Sequence, residues 1–142
     1  MTEQNFKNHK RLHPFYHFFI LPLCLVGLTA GLLHTFLAAG PDQYFHGLMA
    51  LAFFLLFCVA GIARIYAMKV QDRIIRQEEN FRHYLLTGKP LDAQLRSGQI
   101  IALRFASDAE FPTLATRAVT ETLSPKQIKE SIQHWRADHR RV

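Results

Sequence analysis

Eight histidines are the residues in this 142-residue chain best placed to do chemistry. His34 and His46 flank the segment AAGPDQYF, and imidazoles in apolar surroundings ligate haem or metal ions, or relay protons. Their placement argues against haem. A bis-histidine haem must fit between its two ligating helices, whereas a tight hairpin brings helix axes to about 8 to 10 Å, and His46 is expected nearer the surface than His34. Interfacial or hydrogen-bonded histidines are the plainer reading. His9, His13 and His17 form an i, i+4, i+8 series broken by Pro14. With no nearby thiolate, and no acid except Glu3, that series makes a poor zinc site. Cys24 and Cys58 fall in apolar stretches, where cysteine acts as a small filler, and suggest no disulfide framework. The chain has no GxSxG, GxxxxGK[ST], HExxH or CxxC. Its later acids are scattered among basic neighbours and read as solvated helix faces. The sequence therefore predicts no enzyme, no cofactor and no metal.

The elements that would position these residues are set by charge. No charged side chain occurs from Pro14 to Pro41 or from Gln43 to Ala63, with Asp42 between them. Each block exceeds the roughly 20 residues needed to cross a bilayer. Neither block keeps the polar face of a soluble helix. The first is too long for the roughly 7 to 15 residue core of a signal peptide. Gly40, Pro41 and Asp42 supply a helix stop and a turn, so the expectation is a transmembrane helical hairpin over 14–68, with spans at about 15–39 and 44–67. Of 17 Lys and Arg, Lys7, Lys10 and Arg11 precede the first span and 14 lie from Arg64 onward. The positive-inside rule then places both termini in the cytoplasm. Tyr16 and Tyr66 are expected at the inner interface and Tyr44 at the outer one. Residues 1–13 form a basic interfacial segment, and Lys7, Lys10, Arg11, Arg64 and Lys69 are the residues expected to meet anionic lipid headgroups.

Beyond the second span, Met68 to Leu86 lacks Gly and Pro, so the helix is expected to continue as a cytoplasmic extension over 69–88. Val70, Ile74, Phe81 and Leu85 recur at spacings that predict a single apolar stripe, to be covered either by the rest of the chain or by a neighbour, with Gly88 and Pro90 as the stop. Residues 89–142 predict a small helical subdomain. Leu95, Ile100, Ile101, Leu103 and Phe105 are its first apolar anchors. SDAE suggests a capping box between Ser107 and Glu110, and Phe111, Leu114, Ala115 and Ala118 mark an inner face. In LSPKQI, Ser124 is the expected N-cap, Pro125 the first helical residue, Gln127 the other half of the box, and Leu123 with Ile128 a hydrophobic staple. At roughly 54 residues the subdomain is marginal by itself, and docking on the long helix or on another subunit would stabilise it. The predicted fold class is all-α.

The segments QNFKNHKRLHPFYHFFILPL, QIIALRFASDAEFPTLATRAV and LSPKQIKESIQHWRADHRRV resemble a family of small bacterial inner-membrane proteins catalogued only as a domain of unknown function. The resemblance covers nearly the whole chain. It implies a two-span bacterial membrane protein and carries no activity and no catalytic residues.

Three function classes remain in view. Gly27 and Gly31 form a small-xxx-small face, to which the second span adds Gly47, Ala50, Ala60 and Gly61; such faces let helices approach closely, and the pattern could be spent entirely on packing the hairpin. That pattern fits an assembly or accessory subunit that self-associates or joins a larger membrane complex. An oligomeric channel or transporter component is the second class, weakened because no intramembrane acid or paired charge is available to line a pathway. The third is a membrane-tethered nucleic-acid binder. Residues 64–142 hold 14 Lys and Arg against nine Asp and Glu, and Lys126, Gln127 and Lys129 open the last helix, where recognition helices read bases. The same charge suits lipid headgroups, so nucleic acid is the disfavoured partner.

Overall fold

The computed structural model describes Phe6, residues 13–37 and residues 39–137. Lys7, His9, Lys10 and Arg11 lie outside the described residues. The described chain is all-α. A π-helical turn, Tyr16–Ile20, leads into α1 (Leu21–Leu37); α2 (Pro41–Thr87), α3 (Ser97–Leu103), α4 (Phe111–Thr120) and α5 (Pro125–Ser131) follow. Among the described residues there is no strand, only an isolated antiparallel bridge between Ala106 and Trp135. The chain divides into two compact units, one comprising 12–67 and the other containing 68–142, with the boundary inside α2.

The first unit is a hairpin. Gly40 takes φ +70°, a left-handed conformation that a residue without Cβ adopts at no steric cost. Pro41 then opens α2 where its missing N–H is no loss, and Asp42 sits in the first turn, where a negative charge complements the helix dipole. Glycine makes the seam between the two helices. A Cβ on Gly27 would come within 2.5 Å of the Phe53 ring, and one on Gly31 within 2.9 Å of the Ala50 backbone nitrogen. Nearer the turn Thr35 faces Gly47, and at the open end the Tyr16 hydroxyl donates to the Ala60 carbonyl at 3.1 Å. Thr29 and Thr35 return their hydroxyls to carbonyls of their own helix, so neither needs an outside partner.

Outside this seam the hairpin is apolar and open. Both Tyr16–Leu37 and α2 are long and apolar enough to cross a membrane, and only 11% and 6% of their most apolar windows is buried within the chain. A helix in the core of a soluble bundle would bury most of that surface.

The second unit has its own core. Leu95, Ile100, Leu103, Phe105, Phe111, Leu114, Ala118, Ile128 and Ile132 are buried together, and Leu123 and Trp135 pack against them. The Ser124 box forms as its residues dictate: the Gln127 N–H donates to Ser124 Oγ at 3.3 Å and the Ser124 N–H to Gln127 Oε1 at 2.8 Å. Gln99, a buried polar side chain, ties three segments together. Its Oε1 accepts from the Arg96 N–H, and its Nε2 donates to the carbonyls of Ala118 and Leu123.

Two expectations are corrected here. The box expected between Ser107 and Glu110 does not form: α4 starts at Phe111, with Glu110 making no side-chain cap. Glu110 instead reaches across to the segment after α5, whose backbone N–H groups at Gln133 and His134 it accepts. The second concerns α2, whose apolar stripe is not covered by the chain's own subdomain. Val70, Ile74, Phe81 and Leu85 are 56%, 50%, 62% and 68% exposed, while Ile75 and Glu79 on the far side of the helix are each 7% exposed. The subdomain docks on the side of α2 that carries Arg82. Its guanidinium donates to the Ala106 carbonyl, which no apolar side chain can satisfy.

Candidate interaction surface

On α2, Asn80, Arg82 and His83 hold the subdomain, with Glu79 backing Arg82; Asn80 Oδ1 accepts from the Leu91 N–H at 2.8 Å. Arg82 Nη1 lies 2.9 Å from Glu79 Oε2, Nε donates to Asp108 Oδ1 at 2.7 Å, and Nη2 donates to the Ala106 carbonyl at 2.8 Å. The same guanidinium lies over the Phe111 ring, 4.5 Å from its centroid, a stacked arrangement that Arg makes and Lys does not reproduce. His83, the next residue, sets its ring edge-on to Phe111 and pairs Nδ1 with the Lys89 carbonyl at 2.8 Å. The consequence lies on the other side of α2. With Glu79 and Arg82 turned inward, the apolar stripe faces out.

A second clasp closes the end of the described chain. The Ser107 N–H donates to the His134 carbonyl and the Arg136 N–H to the Phe105 carbonyl, while the Trp135 ring lies 5.2 Å from that of Phe105. Glu110 anchors the clasp. Burial by itself would push its pKa up, but the 2.6 Å hydrogen bond from His134 and the backbone donors of Gln133 and His134 outweigh burial and hold it below the ordinary carboxylate range. A carboxylate with a lowered folded-state pKa contributes stability that is fully present above its unfolded value of about 4.3 and is lost as pH falls through the lower, folded value. Trp135 is the single tryptophan. In an acid titration of the full chain its fluorescence is expected to report release of the clasp below about pH 4.3. Glu110→Gln is expected to flatten the titration. An unchanged profile in the variant would assign the transition to another group.

The histidines nominated from sequence are brought together, but not as a haem site. His34 and His46 stack directly, ring centroids 5.1 Å apart and planes 28° apart, which leaves no gap for a porphyrin between them. His13 and His17 direct Nδ1 to neighbouring backbone: the Tyr16 N–H donates to His13 Nδ1, and His17 Nδ1 lies 3.0 Å from the His13 carbonyl. Among the described residues no group of three or more His, Cys, Asp or Glu could hold a metal ion. Cys24 and Cys58 are both free thiols.

The remaining nominated residues divide by position. Gly27 and Gly31 lie in the hairpin seam, whereas a Cβ on Gly61 would meet nothing within 4 Å. Arg64 sits over the Tyr16 ring at 5.8 Å, and Lys69 is exposed. On α5, Gln127 is engaged in its capping box, Lys126 lies 3.8 Å from Glu130, and Lys129 lies over Phe105 at 5.7 Å. Of these side chains only Gln127 is held by its cap; the Lys126 pair is exposed.

Sequence reasoning missed the Arg82 clasp. Its one trace was the i, i+3 spacing of Glu79 and Arg82, which a surface pair shows equally.

Comparison with known proteins gives one finding. The model of a family described as "Family of unknown function (DUF6526)" matches residues 1–142. No curated protein and no solved structure matches the chain.

Proposed function

Starting from the fact that the chain belongs to the DUF6526 family of unknown function, we propose that it is a non-enzymatic integral membrane protein whose work is assembly. In this reading α1 and the first half of α2 cross the bacterial inner membrane as a hairpin. Both termini face the cytoplasm, which accords with 14 of 17 Lys and Arg following the second span and the other three preceding the first. The rest of α2 and the helical subdomain engage copies of the chain or a larger membrane complex.

The observation that carries this reading is the exposure of Val70, Ile74, Phe81 and Leu85 on the face of α2 turned away from the subdomain. Val70 lies beside Lys69 at the expected headgroup level, whereas Ile74, Phe81 and Leu85 lie roughly 10 to 27 Å past a span end at about 67, where water is the alternative to a protein partner. A contiguous apolar patch in water marks an interaction surface. The basic residues near the inner interface, among them Arg64 and Lys69, add attraction to anionic lipid of about 1 kcal/mol each.

The test is the mass of the intact particle, purified at full length from its native membrane in a mild detergent, with absorbance recorded in the haem region. A particle of several copies, or one containing other proteins, supports the assembly reading. A lone monomer sinks it, and a haem spectrum would replace it with a cofactor-carrying role.

A further inference from the structure

The outward face of α2 is more ordered than an apolar patch. Val70, Ile74, Gln77, Phe81 and Tyr84 follow one another at spacings of four, three, four and three, and all five are exposed. That alternation is the seam of a left-handed coiled coil, in which knobs from one helix enter holes on its partner. In this register Arg73 precedes Ile74 on one flank and Glu78 follows Gln77 on the other; both are exposed.

We infer that this seam is covered by the same seam of a second copy, in parallel and in register. This rests on the assembly reading above and names its partner. Charge selects the orientation. In a parallel pair the residue before one core position faces, on the partner helix, the residue five places later. Arg73 of each chain therefore meets Glu78 of the other, giving two opposite-charge pairs by symmetry. Insertion of every copy in the same sense aligns the α2 helices in that direction. Gln77 supplies the register. Two Gln amides meeting in an otherwise apolar seam hydrogen-bond to each other only when the chains are level, and a slip by one heptad would leave each amide against an apolar residue. The seam covers little more than two heptads, too short for a stable coiled coil between free peptides in water. Confinement to one bilayer compensates by raising the effective concentration of the second helix.

The experiment uses the full-length chain in its membrane, with Cys24 and Cys58 replaced by Ala and single cysteines introduced at Gln77 or Arg76 before mild oxidation. Gln77→Cys is expected to give a disulfide-linked dimer. Arg76→Cys, exposed on a different face of the same helix, is expected to give little or none. Reversing one charge, by Arg73→Glu or Glu78→Arg, should lower the Gln77→Cys dimer yield roughly two- to five-fold, as an exposed attraction becomes a repulsion. Combining the two reversals should restore it. Both positions are exposed, so none of these changes threatens the fold.

Equal crosslinking at positions 76 and 77, or failure of the double reversal to recover, overturns the parallel seam. A particle that holds several chains by mass but does not crosslink through position 77 also overturns it and leaves the assembly reading standing, with another protein or the chain's own N-terminal residues as the cover. A lone monomer removes both.

Discussion

Arg82→Met is expected to release the helical subdomain from α2. The Arg82 side chain is only 11% exposed and that of Glu79 10%, so the pair is largely screened from water. Met matches the aliphatic length of Arg and keeps some contact with Phe111. It removes every donor, leaving the Glu79 carboxylate buried without its cation and the Ala106 carbonyl without its partner. Removing one member of a buried pair costs about 3–5 kcal/mol, because the charge left behind has lost both water and its counter-ion. That is comparable to everything a domain of this size has in reserve. Arg82→Lys should recover only part of the loss, since an ammonium cannot reach Glu79, Asp108 and the Ala106 carbonyl in the fixed geometry of a guanidinium. The measurement is thermal unfolding of the full chain followed by Trp135 fluorescence. Arg117→Ala serves as the control: its ion pair with Glu121 is about half exposed and should leave the transition where it is. If Arg82→Met melts with the parent protein, the subdomain is held by its apolar core alone.

Gly31→Leu is expected to open the hairpin. The atom nearest a new Cβ is the Ala50 backbone nitrogen at 2.9 Å, with the Ala50 Cα and Cβ at 3.0 Å, and backbone cannot rotate aside as a side-chain end can. The axes must separate, which costs at least the roughly 1–3 kcal/mol typical of overpacking and forfeits the close approach on which helix pairing in lipid depends. Cysteines placed at His34 and His46, whose rings stack across the seam, would report closure through their rate of disulfide formation in a chain lacking Cys24 and Cys58. Gly31→Leu should slow that rate sharply, while Gly61→Leu, directed into open space, should not. Equal rates would mean that the hairpin tolerates the wider separation. Leucine at both Gly27 and Gly31 consequently reads out the hairpin itself, and a loss of oligomers in that double variant would not locate the surface between chains.

The architecture was legible wherever a single local rule acted without competition. Gly88 ahead of Pro90, and Ser124-Pro125 with Gln127, each fix a helix end through the chemistry of a few adjacent residues, and these ends fall where those residues place them; α2 instead starts at Pro41, three residues before the expected start at about Tyr44, because Pro serves as its first helical residue rather than as part of the turn. The uncharged blocks were legible for the same reason: composition alone marks helices able to span. What the sequence hid was the choice between two faces of one helix. Hydrophobic periodicity locates the stripe at Val70, Ile74, Phe81 and Leu85 but carries no information about which neighbour covers it. The inward side carries Arg82, whose partners lie 24 to 26 residues away, beyond the reach of a local pattern. Glu110 misled in the same way. A Ser107–Glu110 box and the contact with Gln133 and His134 compete for one carboxylate, and the distant donors win because they also satisfy backbone N–H groups of the returning chain.

The outward apolar stripe of α2, with Glu79 and Arg82 turned inward behind it, bears on supply as well as on architecture. A chain made in excess of its neighbours would keep Val70, Ile74, Phe81 and Leu85 in water, and persistent apolar surface is what chaperones and proteases act upon. Under the proposed assembly role, the same helix face would also mark the surplus for removal, and cellular abundance would follow the number of completed assemblies rather than the rate of synthesis.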